Sequence, residues 1–218
     1  MSADHYFSAS PQAPARPTEV AFEAAGVAFR LHAAAGVFSA ARLDPGTGVL
    51  LRKAPLPGPE TAGALLDVGC GYGPIACVLA ALAPRAVVYA VDVNARALDL
   101  VRRNAAELGA GSRVIAATPD AVPPDLRFAQ IWSNPPIRVG KEELHAILDT
   151  WLPRLEPTGV AWLVVARHLG ADSLATWLTT RGYDVTRHAS QQGFRVLRVT
   201  PPGVTPNSGD AEPSDLRR

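Results

Sequence analysis

Asn134-Pro135-Pro136-Ile137 closes an apolar run, Phe128-Ala-Gln-Ile-Trp-Ser133, that reads as a buried strand. Neither proline has an N–H for a ladder, so the strand must end there. One amide side chain and its neighbouring carbonyls are thereby held at a strand's C-terminal end, an arrangement suited to holding a planar amine. The same tripeptide can also act simply as a strand-ending turn. Two acids and a glycine series upstream supply the other chemically suggestive residues. Asp67 stands two positions before Gly69 in Gly69-Cys70-Gly71-Tyr72-Gly73-Pro74, and Asp92 follows Gly69 by 23 positions. About 20 is the spacing expected for an acid that takes ribose hydroxyls behind a glycine turn.

The segments around these residues form a repeating pattern. Ala64-Leu-Leu-Asp-Val68 is strand-like, and Ile75, Ala76, Val78, Leu79 and Leu82 give the following segment a helical apolar face. Pro74 suits a first helical turn. Strand, glycine turn and helix make the first half of a nucleotide-binding βαβ unit. Gly-x-Gly-x-Gly differs from the Gly-x-Gly-x-x-Gly of dinucleotide enzymes, although a plain glycine turn or an NAD site stays open. Ala86-Val-Val-Tyr-Ala-Val91 is continuously apolar and rich in β-branched valine, as a strand buried on both faces should be. Asn94 predicts an N-cap for a helix over 95–108. A third strand is expected over 113–117, followed by the loop containing Asp120, which could accept from an adenine amino group or be a solvated loop acid. Further along, helices are expected over 141–152 and 169–181, with a strand over 160–166 between them. Strands over 183–188 and 194–200, joined by 189–193, should pair as an antiparallel hairpin.

The glycine unit resembles motif I of class I S-adenosylmethionine-dependent methyltransferases, and Asn134-Pro135-Pro136 resembles the (Asn/Asp)-Pro-Pro-x motif of their amino-group members. Gly36-Val-Phe-Ser39, Arg42-Leu-Asp-Pro-Gly-Thr-Gly-Val-Leu-Leu51 and Ser133-Asn-Pro-Pro-Ile-Arg-Val-Gly-Lys141 narrow the resemblance to the small-domain methyltransferases, and within them to guanine-N2 methyltransferases of 16S ribosomal RNA. It covers roughly residues 20–200. It implies a Rossmann-like α/β fold whose seven-stranded, mostly parallel sheet ends in an antiparallel C-terminal hairpin with helices on both faces. S-adenosylmethionine would be the cofactor, touched by Thr47, Asp67, Gly69, Cys70, Gly71, Gly73, Asp92, Val93, Asp120 and Asn134, with Asp67 facing its ammonium. Asn134, Pro135 and Pro136 would be catalytic. The Asn134 oxygen and the Pro135 carbonyl would accept from the target NH₂ and aim its lone pair at the sulfonium methyl. An exocyclic lone pair is delocalised into its ring, so catalysis is mostly positioning, a device able to supply up to roughly 7–11 kcal/mol. Phe38, Ile137, Arg138 and Lys141 would meet the substrate, and Asp44 would lie near the cofactor's methyl end. Residues 36–51 could instead form a β-hairpin edge packed on the sheet. Ile137 stands where glutamine- and adenine-methylating relatives carry a stacking aromatic, which favours guanine N2 and leaves stacking to another residue such as Phe38.

Composition is compatible with this reading. A 218-residue chain with 48% hydrophobic residues suits one ordinary domain. No apolar run reaches the roughly 20 residues of a membrane span, and no secretory signal is evident, so a cytoplasmic protein is expected. Cys70 and Cys77 lack metal-ligand spacing, as do the five histidines, so no metal is expected. A net charge of +1 does not by itself advertise a nucleic-acid binder. Organisation is expected as a substrate-side segment over 1–60, a methyltransferase domain over 61–200 and a disordered tail over 201–218. Small-subunit ribosomal RNA or the subunit itself is the expected partner, and the chain a monomer or homodimer. Another amine substrate, in a small molecule, protein or other nucleic acid, fits the same two motifs. A non-catalytic cofactor-binding protein is a further alternative.

Overall fold

Residues 17–135 and 140–203 are described by a computed structural model, in which nine strands and five α-helices form two sheets. The smaller sheet is a hairpin of β1 (Pro17–Ala24) and β2 (Val27–Ala34). Its turn, Ala25-Gly26, has both residues at positive φ, the conformation whose twist matches paired antiparallel strands. The larger sheet has the order β5-β4-β3-β6-β7-β9-β8. Strands β3 (Ala62–Val68), β4 (Arg85–Val91), β5 (Val114–Ala117), β6 (Phe128–Ser133) and β7 (Leu155–Ala166) pair in parallel. β9 (Phe194–Thr200) runs antiparallel to both β7 and β8 (Asp184–Gln191). The chain order reverses between β3 and β6, which opens a crevice at their C-terminal ends, where ligands of open α/β sheets bind.

Strand alternation sorts the core into two layers. Leu65, Trp132, Trp162 and Val196 face α1 (Pro45–Lys53), α2 (Pro74–Leu82) and α3 (Ala95–Glu107). Leu66, Ile131, Leu163 and Leu197 face α4 (Lys141–Trp151) and α5 (Ala171–Thr180). The same parity turns Asp67 and Asn134 toward the first layer, a fact on which the site depends.

Three expectations need correction. Residues 45–53 form a helix, not a hairpin edge. Asp44 caps it by accepting from Thr47 N at 3.0 Å, Pro45 fills its first turn, and Arg52 and Lys53 sit in its last. The hairpin lies earlier, at β1–β2. The final pair of strands also zips further than expected, with Ala189, Ser190 and Gln191 opposite Val196, Arg195 and Phe194. Only Gln192-Gly193, both at positive φ, remain as the turn. β7 likewise begins at Leu155, five residues early, with a register shift opposite Phe128 and Gln130 that accommodates exposed Pro157. Of the tail expected over 201–218, residues 204–218 lie outside the described residues.

One buried side chain joins the small sheet to the large one. Asn104 of α3, fully buried, accepts from His32 N at 2.8 Å and donates to His32 O at 2.9 Å and Tyr72 O at 2.8 Å. It pairs with β2 as another strand would, while holding the glycine loop. Replacing it with Leu strands three backbone groups, each costing about 1–3 kcal/mol when buried and unpaired. Asn104→Leu is therefore expected to lower unfolding free energy by roughly 3 kcal/mol or more and to expose the His32 amide to hydrogen exchange. Chemical denaturation and exchange mass spectrometry measure both.

Candidate active site

The glycine loop leaves β3 and is bound to the end of β4. Gly69 N and Cys70 N donate to Val91 O at 2.8 and 3.0 Å, and Gly71 N donates to Asp92 Oδ2 at 2.9 Å. Gly69, Gly71 and Gly73 have φ of 71°, 55° and 88°, in the region that side chains avoid. A Cβ on Gly73 would also stand 3.0 Å from Val101 Cγ2, whereas one on Gly71 would meet only Val37 at 4.0 Å. The loop is therefore packed from below and open at Gly71, where a ligand can approach the backbone.

Asp67 is fully buried beneath α2, where Oδ2 accepts from Ala76 N at 3.0 Å and so caps the first turn of that helix. Its other oxygen, Oδ1, is buried without a hydrogen-bond partner among the described residues. With the loop N–H groups tied to Val91 and Asp92 and the helix end tied to Asp67, few donors remain for a pyrophosphate. The geometry disfavours a dinucleotide and suits a cofactor that approaches without phosphates.

Asp92, at the end of β4, spends one oxygen on Gly71 N and the other on Asn94 N at 2.9 Å. A carboxylate offers about four acceptor directions, so lone pairs remain for two ribose hydroxyls. Burial pushes its carboxyl up, opposed by the N–H groups of Asn94, Gly71 and Val93. Asn94 caps α3 as expected, and its Nδ2 also donates to Gly36 O at 2.9 Å. Arg96 donates to Ala35 O at 2.7 Å. These two bonds anchor the Gly36-Val-Phe-Ser39 segment to the strand that carries Asp92.

Across the crevice, Asn134 follows β6 and points at the start of α1. Its Nδ2 donates to Asp44 Oδ1 at 2.6 Å and to Thr47 Oγ1 at 3.0 Å. A carboxylate can only accept, so the amide nitrogen must face Asp44. Both of its N–H bonds are then used, and Oδ1, with no partner among the described residues, is left toward the crevice that Asn134 lines. Phe38, Asp44, Thr47, Gly69, Cys70, Gly71 and Tyr72 line the same crevice. Phe38 stands 43% exposed at its mouth. Pro135 is buried, and Lys141 is exposed at the first turn of α4. Pro136, Ile137 and Arg138 lie outside the described residues. Val93 is 45% exposed beside Asp92, and Asp120 sits exposed on a short 3-10 turn after β5. Like Asp92 itself, both lie outside the narrow part of the crevice that Asn134 and the glycine loop line. Thr118 lowers the Asp120 carboxyl by a side-chain hydrogen bond.

Sequence reading missed the clamp role of Asp44. The signal was present, because Asp-Pro ahead of Thr and an apolar run is a helix start. It also missed Tyr72, whose buried hydroxyl has no partner among the described residues and is pushed well above the ordinary tyrosine range by burial, with a smaller push from Asp44.

Asp67 yields a pH prediction. Burial, opposed by the Ala76 N–H and reinforced by Asp92, moves its carboxyl from 3.8 up to about 8. The folded protein keeps a proton that the unfolded chain releases above 3.8. This contribution to stability is fully present below that pH and drains away as pH rises through about 8. Asp67→Asn cannot titrate, so its stability relative to the parent should climb from pH 4 to pH 8. Denaturant titrations across that range check this, and a difference independent of pH would overturn it.

Known proteins share this architecture. The family described as the methyltransferase small domain matches residues 28–198. The chain is 31% identical over 198 residues to the uncharacterized protein YbxB of Bacillus subtilis, covering 90% of this chain and 98% of that one. It is 40% identical over 121 residues to ribosomal RNA small subunit methyltransferase C of Aeromonas hydrophila, 55% of this chain and 33% of that protein. The counterpart in Stutzerimonas stutzeri is 33% identical over 180 residues, 75% of this chain and 48% of its own. The chain thus spans half or less of these methyltransferases' length. Among solved structures, the Thermus thermophilus 16S rRNA N2 G1207 methyltransferase in complex with AdoMet and guanosine superposes with a TM-score of 0.72. It is 23% identical and aligned over 88% of this chain and 52% of that one, a likeness of fold. With the glycine loop and Asn134 lining one crevice and Asp92 bonded to that loop, the chain belongs to the methyltransferase small domain family of S-adenosylmethionine-dependent enzymes.

Proposed function

We propose that this enzyme methylates an exocyclic amine, the N2 of guanine in small-subunit ribosomal RNA. The observation that carries the proposal is the Asn134 amide, whose two N–H bonds are taken by Asp44 and Thr47 so that its oxygen faces the crevice. An oxygen fixed in this way selects a donor, and an NH₂ group is the donor that also has a carbon-accepting lone pair. Accepting from one N–H pulls the nitrogen toward tetrahedral geometry and turns the lone pair out of the ring. The Asp44 carboxylate, bonded to the far side of the same amide, polarises it and makes Oδ1 a stronger acceptor. Asp44 is thus a positioning residue and Asn134 the catalytic one.

The residues fit S-adenosylmethionine, which supplies a methyl group activated by its sulfonium. Asp92 would take the ribose hydroxyls, and the open side of Gly71 would admit the methionine backbone. Thr47 and Phe38 would close over the methyl end. Pro135 O would be the second acceptor. With the methyl group supplied by the bound cofactor, Asn134 Oδ1 and Pro135 O would hold the amine, and the positive charge left on nitrogen would be relieved by loss of a proton to solvent. No strong base would be required, because the cation formed on alkylation is strongly acidic and gives the neutral methylamine on losing its proton. Relatives named for small-subunit ribosomal RNA and a neighbour solved with guanosine support guanine as the target. Phe38, exposed at the mouth, would offer the face on which the base stacks.

Ribosomal RNA and small subunits from a strain lacking this gene, incubated with tritiated S-adenosylmethionine, should take label at guanine N2. Label appearing only in protein or small molecules would overturn the assignment. Asn134→Ala should lower kcat about 10²–10³-fold, the usual cost of one such hydrogen-bonding group, with cofactor affinity nearly intact by calorimetry. Charge exchange tests the clamp itself. Asn134→Asp sets two carboxylates 2.6 Å apart and should abolish turnover, whereas adding Asp44→Asn restores a donor between them and should recover at least a tenth of it. A double variant no better than the single would remove Asp44 from the mechanism.

A further inference from the structure

Charge is distributed unevenly around this nearly neutral protein. Away from the crevice mouth, several guanidiniums meet carboxylates, Arg30 with Glu19, Arg85 with Glu60, Arg102 with Asp99, Arg103 with Glu107 and Arg181 with Asp149, while Arg113, Arg127 and Arg154 are held by backbone carbonyls. On the α1 side of the mouth they do not. Arg42, exposed two residues before Asp44, has no acidic partner among the described residues. Neither has Arg167, exposed directly after β7, whose N–H donates to Gly193 O at 2.8 Å. Arg52, in the last turn of α1, bonds only to neutral amides, Gln191 Oε1 at 3.3 Å and Gln192 Oε1 at 3.4 Å.

Arg52 is also aimed. A Cβ on Gly48 would lie 3.1 Å from its Nη1, so the guanidinium folds back over the helix where glycine leaves room. Gly48 adjoins Thr47, which touches Asn134. Gln191 at the end of β8 and Gln192 of the following turn hold the guanidinium there, and the backbone of Arg167 is bonded to the same turn at Gly193. The backbones that carry Arg52's partners and Arg167 are therefore joined at the C-terminal end of β7. The opposite rim is different. Lys141 is followed by Glu142 and Glu143 in the first turn of α4, so that side carries a net negative turn.

We propose that Arg42, Arg52 and Arg167 form a track for the RNA phosphate backbone that flanks the target guanine, so that the strand crosses the α1 and β8–β9 side of the mouth and avoids α4. Guanidinium is the group suited to this task, because its planar fork matches phosphate and it stays charged at any working pH. Leaving these cations without carboxylate partners spares the RNA the cost of breaking ion pairs. Pinning Arg52 in advance reduces the side-chain entropy lost on binding. This inference rests on the proposed RNA substrate.

The full chain and its Arg42→Gln, Arg52→Gln, Arg167→Gln triple variant test it, using small-subunit ribosomal RNA from a strain lacking the gene. The triple variant should raise the KM for RNA about 10–100-fold, leave calorimetric affinity for S-adenosylmethionine unchanged, and flatten the dependence of log K for RNA binding on log salt by about 0.7 for each lost phosphate contact. Arg30→Gln, a distant paired arginine, should change none of these. Unchanged KM and salt slope in the triple variant would overturn the track, as would equal effects from Arg30→Gln. Binding that depends on the three arginines without methyl transfer to guanine would instead count against the guanine assignment alone.

Discussion

The hydrogen bond from Asn134 to the Asp44 carboxylate is the contact on which the site depends. It joins the end of β6 to the start of α1, and so sets the width of the crevice between the Asn-Pro turn and the glycine loop. Asp44 has two duties in it. It caps α1 through Thr47 N, and it fixes which end of the Asn134 amide faces inward. A negative group is stabilised at a helix N-terminus, so the cap helps keep in place the charge that orients the amide. Helix stability and amide orientation are two results of one contact.

The other wall shows the same economy. A crevice at a topological switch point commonly presents helix N–H groups to a ligand's phosphates. Here the protein fills those positions itself, with Asp67 on Ala76 N and Asp92 on Gly71 N. What remains is a glycine surface with acceptors along one side. Such a wall accepts a zwitterion with ribose hydroxyls and discriminates against nucleotides bearing a pyrophosphate. Specificity for the cofactor class is achieved by occupying the alternative's binding groups.

Much of this was legible in the sequence, for identifiable reasons. Glycine spacing, the acid at a strand end and a double proline are local signals, and each marked its place in the fold. Strand and helix existence followed from hydrophobic period, while the ends of β7 and β8 did not, because cross-strand pairing extended them through polar residues such as Ser190 and Gln191. Asp67 was placed correctly on β3, but its hydrogen bond to Ala76 N was not foreseen. Its direction depends on which face of the sheet α2 covers, a property of topology that no local pattern encodes. Asp44 and Asn134 are 90 residues apart, and their contact becomes visible only once the strand order is known. Asn104 is the hardest case, since a polar residue in an amphipathic helix reads as solvent-facing until β2 lies against it.

That asparagine also bears on the entropy of ligand binding. Through His32 and Tyr72 it ties the β1–β2 hairpin to the glycine loop, and through Asn94 and Gly36 the segment carrying Phe38 is tied to the acid of β4. Hairpin, loop and Phe38 segment are therefore one cooperative unit in the sense of local unfolding. A cofactor that orders the loop would order the Phe38 segment at the same moment. For the RNA substrate proposed above, a base arriving afterwards would meet a surface whose conformational freedom is already spent, so cofactor-first binding would follow from two amide side chains without a moving lid.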